Sequence, residues 1–155
     1  MNTLNTIQIK GHINLKCFRA DGSLRWEVDT HNLITSAGKA QLALLAGDAT
    51  ATPFTYLAVG TSNAAPAIGQ TALSAEIVDS GLARAASTVS RVTTTVTNDT
   101  LRLNTTWSVS GSKTVEEVGV FNASSAGTML GRALTTSKSV VSGETLQGRY
   151  DVAFA

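Results

Sequence analysis

The chain has 155 residues, a formal net charge of +1 and 15% charged residues, against about 25% in ordinary soluble proteins. The 12 Lys and Arg are balanced by 11 Asp and Glu without a basic run, which argues against direct nucleic-acid binding. No apolar stretch approaches the roughly 20 residues of a membrane-spanning helix, and a lone cysteine excludes a disulfide scaffold. We therefore expect a single domain over residues 1–155 that is made in a cytoplasm, without metal or other cofactors.

The first thirty residues predict a β-hairpin. The 22 Thr and 15 Ser favour pleated strands, where β-branched side chains pack well. Apolar residues alternate from Ile7 to Cys17, and they alternate again from Leu24 to Val28 after the turn at Asp21-Gly22-Ser23. Trp26 shares the apolar phase of the second strand, so we expect it in the core.

The period changes after Asn32 and predicts one short helix over about 35–46. Apolar residues at positions 33, 37, 40 and 44 recur with helical spacing, and Thr35 or Ser36 can cap the free amides of the first turn. Gly47 can end the helix. Its Ala and Leu content suggests that it lies across an open end or face of the β structure, before a loop and a short strand at Phe54 to Val59.

Two segments are candidates for contact with partners. Residues 61–71 contain Gly, Pro, Ser and Asn without periodicity, which is typical of a surface loop. The polar residues 1–6 are too short to fold alone, and we expect an extended arm that becomes ordered on a neighbouring chain. The candidate contact residues are Met1, Asn2, Thr3, Leu4 and Asn5 in the arm, and Thr61, Ser62, Asn63, Pro66 and Gly69 in the loop.

The second half of the chain predicts strands almost throughout. Strands at Leu82 to Thr97 and Leu101 to Val109 form a hairpin, followed by a pair at Thr114 to Asn122 and Met129 to Thr135 and a last strand at Glu144 to Ala155. Trp107, Phe121 and Phe154 share the apolar phases of their strands and are expected in the core. About eight or nine short strands with one helix predict an all-β fold, a β-sandwich or jelly roll.

The residues that could support catalysis are few. His12 and His31 have no second ligand at metal-binding spacing, and Cys17 lies in the apolar phase of its strand, where a thiol stays protonated. Adjacent strand residues point to opposite faces, so Glu116 and Glu117 cannot act together as general acid and base. Glu117 is instead expected to be at least partly buried and paired with Arg132 or with backbone amides, because an unpaired buried carboxylate is costly. We expect no enzymatic activity.

Several short sequence segments, taken in order, resemble small virion proteins of tailed bacteriophages, described as head decoration, cement or tail-fibre-like proteins. These segments are residues 21–23, 31–35, 37–38, 56–61, 117–122 and 127–132, and the resemblance spans roughly residues 6–155. It implies a β-sandwich that assembles on the virion, commonly as a homotrimer, without catalytic residues. A charge-poor surface agrees with this, because charge depletion is typical of interface cores.

Two structural functions remain open within this resemblance. The protein could be a capsid decoration or cement protein bound to the major capsid protein, or it could belong to the tail, collar or fibre. Near-neutral charge and the lack of an elongated, repeat-bearing segment favour the cement function. A carbohydrate-binding β-sandwich is a remote alternative, because only eight aromatic residues are available, 2 Trp, 2 Tyr and 4 Phe.

Overall fold

Two five-stranded antiparallel sheets lie face to face and enclose most of the buried apolar side chains. The computed structural model describes residues 7–154, so the expected arm over residues 1–6 and its contact residues lie outside the described part of the chain. The elements are β1 (Ile9–Phe18), β2 (Leu24–His31), β3 (Leu33–Ile34), α1 (Ser36–Gly47), β4 (Tyr56–Gly60), β5 (Ala85–Ala86), β6 (Thr88–Val92), β7 (Thr100–Ser108), β8 (Lys113–Phe121), β9 (Met129–Val140) and β10 (Thr145–Phe154). The prediction of an all-β sandwich with one short helix is confirmed. No helix of the described residues is long and apolar enough to cross a membrane.

The first sheet has the strand order β2-β1-β10-β7-β6, and the second has the order β3-β9-β8-β4-β5. Ile13, Leu15 and Cys17 of β1 are buried between the sheets, and β10 pairs with β1 along its whole length. The two-residue alternation of the first hairpin therefore sets which face of this sheet is buried, because successive side chains of a strand point to opposite faces.

The helix α1 connects β3, at one edge of the second sheet, to β4 of the same sheet. The hydroxyl of Thr35 accepts the backbone N–H of Gly38 at 2.9 Å and so caps the first turn. Gly38 lies against the backbone of Leu130, where an added Cβ would come within 2.3 Å of the carbonyl oxygen. Two leucines of the helix pack against the core, and most of its other residues are exposed. The helix thus packs against the β structure through Gly38 and these two leucines.

The segment from Leu82 to Thr97 does not form the one long strand expected of it. It supplies β5 to the second sheet and β6 to the first, so the chain changes sheets at Ser87. The following turn is held by the carboxylate of Asp99, which accepts the backbone N–H groups of residues 94–96 at 2.7–2.8 Å. These hydrogen bonds, first of all the one from Val96, hold the pKa of Asp99 well below its ordinary value. The many Thr residues of this segment favour strands but lack the apolar alternation that would keep them in one sheet.

The four aromatic residues expected in the core differ in burial. Trp107 and Phe121 are 3% and 0% exposed, respectively. Trp26 is half-buried and packs at the margin of the core, where its Nε1 donates to the carbonyl of Ser139 at 2.9 Å. Phe154 is 38% exposed, so its assignment to the core is wrong. Its position along the strand points it to the inner face of the sheet, opposite Ile9. It is the last residue of β10, however, and the second sheet covers it only in part.

Candidate functional site

The expected pair of Glu117 and Arg132 lies on neighbouring strands, β8 and β9. Their side chains are 0% and 1% exposed, and Arg132 Nε donates to Glu117 Oε2 at 2.5 Å. A register shift between Val115 and Glu117 changes the phase of β8, so Glu117 leaves the sandwich core and points to the outer face of the second sheet. The pair is therefore buried by a loop that covers this outer face, and not by the first sheet.

That loop, residues 61–75, is called here the covering loop. Glu117 accepts the backbone N–H groups of Ser74 and Ala75 at 3.1 and 2.7 Å, and Arg132 Nη1 donates to the carbonyl of Ala64 at 2.7 Å. The buried pair thus fastens the covering loop near both of its ends. Both oxygens of the Glu117 carboxylate are hydrogen-bonded, whereas Arg132 Nη2 is buried without a hydrogen-bond partner among the described residues.

A second, smaller apolar cluster lies between the covering loop and the sheet. It consists of Ala58, Leu73, Phe121 and Met129, with Tyr56 at its margin. The guanidinium of Arg84 lies 3.5 Å from the centre of the Phe121 ring and is paired with Glu76 at 2.6 Å. Phe121 is therefore buried, as expected, but beneath the covering loop. The sequence predicted the loop at 61–71 and not its role as a second layer over the sheet.

The residues of the covering loop that were expected to contact partners differ in exposure. Thr61, Asn63 and Gly69 are exposed, whereas Ser62 and Pro66 are half-buried. Ile68, which the sequence analysis did not single out, is 51% exposed. The loop thus offers a surface of small residues, many of them alanine, around one large apolar side chain.

The strand β6 has an open edge. Along the side of β6 that faces away from β7, no backbone hydrogen bond joins residues 88–92 to any other described residue. Four of its five residues are exposed, and Arg91 is its only charge. At the opposite edge of the same sheet, the side chains of Arg25 and Trp26 of β2 reach across to Ser139 of β9. An open edge of this kind presents unpaired amides and carbonyls to a neighbouring chain.

The outer face of the first sheet is polar. Asn14 of β1 donates to Glu27 at 2.6 Å and to Asp29 at 3.2 Å, and Arg102 of β7 binds Asp151 of β10 through two contacts of 2.7 Å. This face also contains a shallow groove of about 170 Å³, called here the polar groove. It is lined by Asn14, Lys16, Asn104, Gln147, Gly148 and Arg149.

The two histidines lie side by side on the same polar face. His12 contacts the carboxylate of Asp29, and its ring centre is 5.3 Å from that of His31. His12 is thus on the outer face of the first sheet, and His31 ends β2. Within residues 7–154, no group of three or more His, Cys, Asp or Glu side chains is arranged to hold a metal ion.

Cys17 is buried and its thiol donates to Glu144 at 3.4 Å. Arg25 Nη1 lies 2.7 Å from each oxygen of the same carboxylate. Burial, assisted by the hydrogen bond to Glu144, raises the pKa of Cys17 to about 11. The thiol is therefore protonated at neutral pH, which makes it a poor nucleophile.

One protein family matches most of the chain. The family model described as podophage GP4 fiber I protein gp80 matches residues 32–150, from the end of the first hairpin to the middle of β10. Neither the curated proteins nor the solved structures give a significant match.

Proposed function

Because the chain belongs to the podophage GP4 fiber I protein gp80 family, we propose that it is a fibre-associated structural protein of a tailed-phage virion. The resemblance to tailed-phage virion proteins is confirmed, and the family supports the fibre alternative better than the capsid cement that charge and the lack of repeats favoured. The match over residues 32–150 is the observation that carries the proposal.

We further propose that the protein has no enzymatic activity. Cys17 is buried with its pKa raised, and the carboxylate of Glu117 is engaged by Arg132 and by two backbone amides. Both groups therefore stabilise the fold and are shielded from a substrate. A structural function, in which surfaces bind other chains, fits these residues best.

The partners that we propose are copies of this chain, as the homotrimer that the resemblance implies, and tail or collar proteins of the virion. The open edge of β6 and the exposed part of the covering loop are the surfaces proposed for these contacts. Pairing with a neighbouring strand would satisfy the free backbone groups of β6, which otherwise remain a site for uncontrolled association.

Copy number in the virion distinguishes a fibre from a cement protein. We expect the protein to be found with separated tails or fibres, at a few dozen copies or fewer per particle. Quantitative mass spectrometry of purified virions and of tail-free heads measures this directly. Several hundred copies retained on tail-free heads would overturn the fibre assignment and restore the cement function.

A lysine on the open edge should weaken assembly. Val89 of β6 is 43% exposed and lies on the same face of the sheet as the buried Leu103. A strand that paired with the open edge would cover position 89, so Val89→Lys would place a charge in the contact. We expect the dissociation constant for self-association to rise about tenfold or more, equivalent to about 1.4 kcal/mol, without a change in melting temperature. Val78→Lys is the matched control, because Val78 is 76% exposed and lies outside the strands.

The measurement is the molar mass in solution over a concentration series, by light scattering after size-exclusion chromatography. If both variants associate like the wild type, β6 is not the contact. A wild-type chain that stays monomeric at every concentration would remove the proposal of self-association.

A further inference from the structure

The two histidines form the last cross-strand pair of the first hairpin. His12 of β1 lies directly opposite His31, which is the last residue of β2. Paired residues of antiparallel strands project from the same face of a sheet, so both rings stand on the outer face of the first sheet. His31 is exposed and the side chain of His12 is 29% exposed, so a solute can reach both rings. The two residues meet only through strand pairing, and for this reason no local spacing marked them as metal ligands.

The geometry of the two rings suits a shared metal ion. Their centres are 5.3 Å apart and their planes are inclined at 58°. An ion bound to one nitrogen of each ring at about 2.1 Å, with a tetrahedral angle between the two bonds, would place the ring centres roughly 5 Å apart. The ion must also lie near the plane of each ring, because the nitrogen lone pair lies in that plane. Inclined planes cross, whereas the planes of two stacked rings do not.

Asp29 determines which nitrogen of His12 is available. Its carboxylate contacts Nε2 of His12. This hydrogen bond from His12 is the main reason that the pKa of Asp29 lies below its ordinary value, so the carboxylate is ionised at neutral pH. An ionised carboxylate only accepts hydrogen bonds, so a neutral His12 carries its proton on Nε2 and its free lone pair on Nδ1. Metal-binding histidines commonly donate their other ring N–H to a carboxylate in this way.

Charged groups of both signs surround the pair. His12 also lies opposite Asp151 of β10, which binds Arg102 through two contacts of 2.7 Å. Lys10, two residues earlier on β1, is exposed on the same face. These charges largely cancel, so a cation must be held by bonds to nitrogen and not by a net negative charge. Zn²⁺, Ni²⁺ and Cu²⁺ bind imidazole well, whereas Mg²⁺ and Ca²⁺ prefer oxygen ligands.

We propose that His12 and His31 bind one divalent transition-metal ion, represented by Zn²⁺, and that Asp29 holds His12 in the ligating tautomer. No group of three His, Cys, Asp or Glu side chains within residues 7–154 is placed to surround an ion, so water fills the remaining positions and binding is weak and reversible. The bound ion joins the end of the edge strand β2 to β1, just before the chain passes to the second sheet at β3. This binding does not depend on the fibre assignment, because both ligands come from one chain.

The test is titration of the full chain with Zn²⁺ above neutral pH, by isothermal titration calorimetry and by melting temperature. We expect one ion per chain and a melting temperature that rises with Zn²⁺ concentration, because the ion binds the folded chain. His12→Gln and His31→Gln should each weaken binding at least about tenfold, since each removes one of two ligands. Mg²⁺ at the same concentrations should leave the melting temperature unchanged.

A second pair of variants tests the role of Asp29 as a positioning residue. Asp29→Asn should weaken Zn²⁺ binding about tenfold, as is typical when a carboxylate that orients a ligating histidine is changed. Glu27→Gln is the matched control, because Glu27 lies two residues earlier on the same strand and accepts from Asn14 at 2.6 Å. It should bind Zn²⁺ like the wild type. Nitrogen NMR of the free chain should show the proton of His12 on Nε2.

Four results would overturn the proposal. The wild-type chain could show no saturable binding of Zn²⁺, or either histidine variant could bind as tightly as the wild type. Two ions per chain, with one retained in each histidine variant, would mean that the histidines act separately. An equal rise in melting temperature with Mg²⁺ would assign the effect to carboxylates. If Asp29→Asn binds as well as Glu27→Gln, the positioning role of Asp29 is wrong.

Discussion

Replacing Arg132 by Met should lower the free energy of unfolding by about 3–5 kcal/mol, because it leaves the carboxylate of Glu117 buried without its counter-charge. The substitution also removes the hydrogen bond to the carbonyl of Ala64, at the start of the covering loop. Urea unfolding measures the stability, and limited proteolysis within residues 61–75 measures whether the loop is released. We expect both to change together.

Two variants make this prediction specific. Lys113→Met removes a cation from the exposed pair with Asp79, whose side chain is 61% exposed, and should change stability little. Adding Glu117→Gln to Arg132→Met removes the uncompensated charge and should recover part of the loss. A loss for Arg132→Met no larger than that for Lys113→Met would mean that the pair does not hold the covering loop.

Trp107→Ala should cost about 3–5 kcal/mol, whereas Phe154→Ala should cost much less. Trp107 is 3% exposed, fills the space beside Gly148 and donates to the carbonyl of Ala83 at 2.9 Å. Its truncation removes packing and the hydrogen bond to this carbonyl. Phe154 is 38% exposed, so water already reaches much of its ring.

The same unfolding experiment compares the two variants, and fluorescence of the wild-type chain adds a second readout. Trp107 should resist quenching by acrylamide, and the half-buried Trp26 should account for the accessible fraction. Equal losses for Trp107→Ala and Phe154→Ala would show that the end of the sandwich near Phe154 is closed, for example by a neighbouring chain.

Sequence patterns over a few neighbouring residues predicted the turns, the strand alternation of the first hairpin and the helix start. The Asp21-Gly22-Ser23 turn between alternating strands and the Thr35 cap before α1 could be recognised because a turn and a helix start depend on residues a few positions apart. Glu117 and Arg132 could be matched because a buried carboxylate needs a partner and the two strands were expected to be neighbours. The family resemblance rested on short segments that lie in turns, in strands and at the helix start.

The candidate sites depended on contacts between residues far apart in the chain. The polar groove could not be predicted, because Asn14, Asn104 and Arg149 meet only when β1, β7 and β10 pair in one register. The covering loop could not be recognised as a layer, since its anchors come from β8 and β9. Likewise the open edge of β6 exists because the chain changes sheets at Ser87, which no local pattern marked.

By itself, the sequence determined the alternation of the first hairpin, the one helix and the pairing of Glu117 with Arg132, since these follow from side-chain spacing and from the cost of burying polar groups. Tertiary structure alone decided which face each residue reached after the register shift before Glu117, and how completely an inward-phase residue such as Phe154 was covered. The physical reason is that phase along a strand is a local property. Burial, register and edge exposure depend on what the rest of the chain places against that strand.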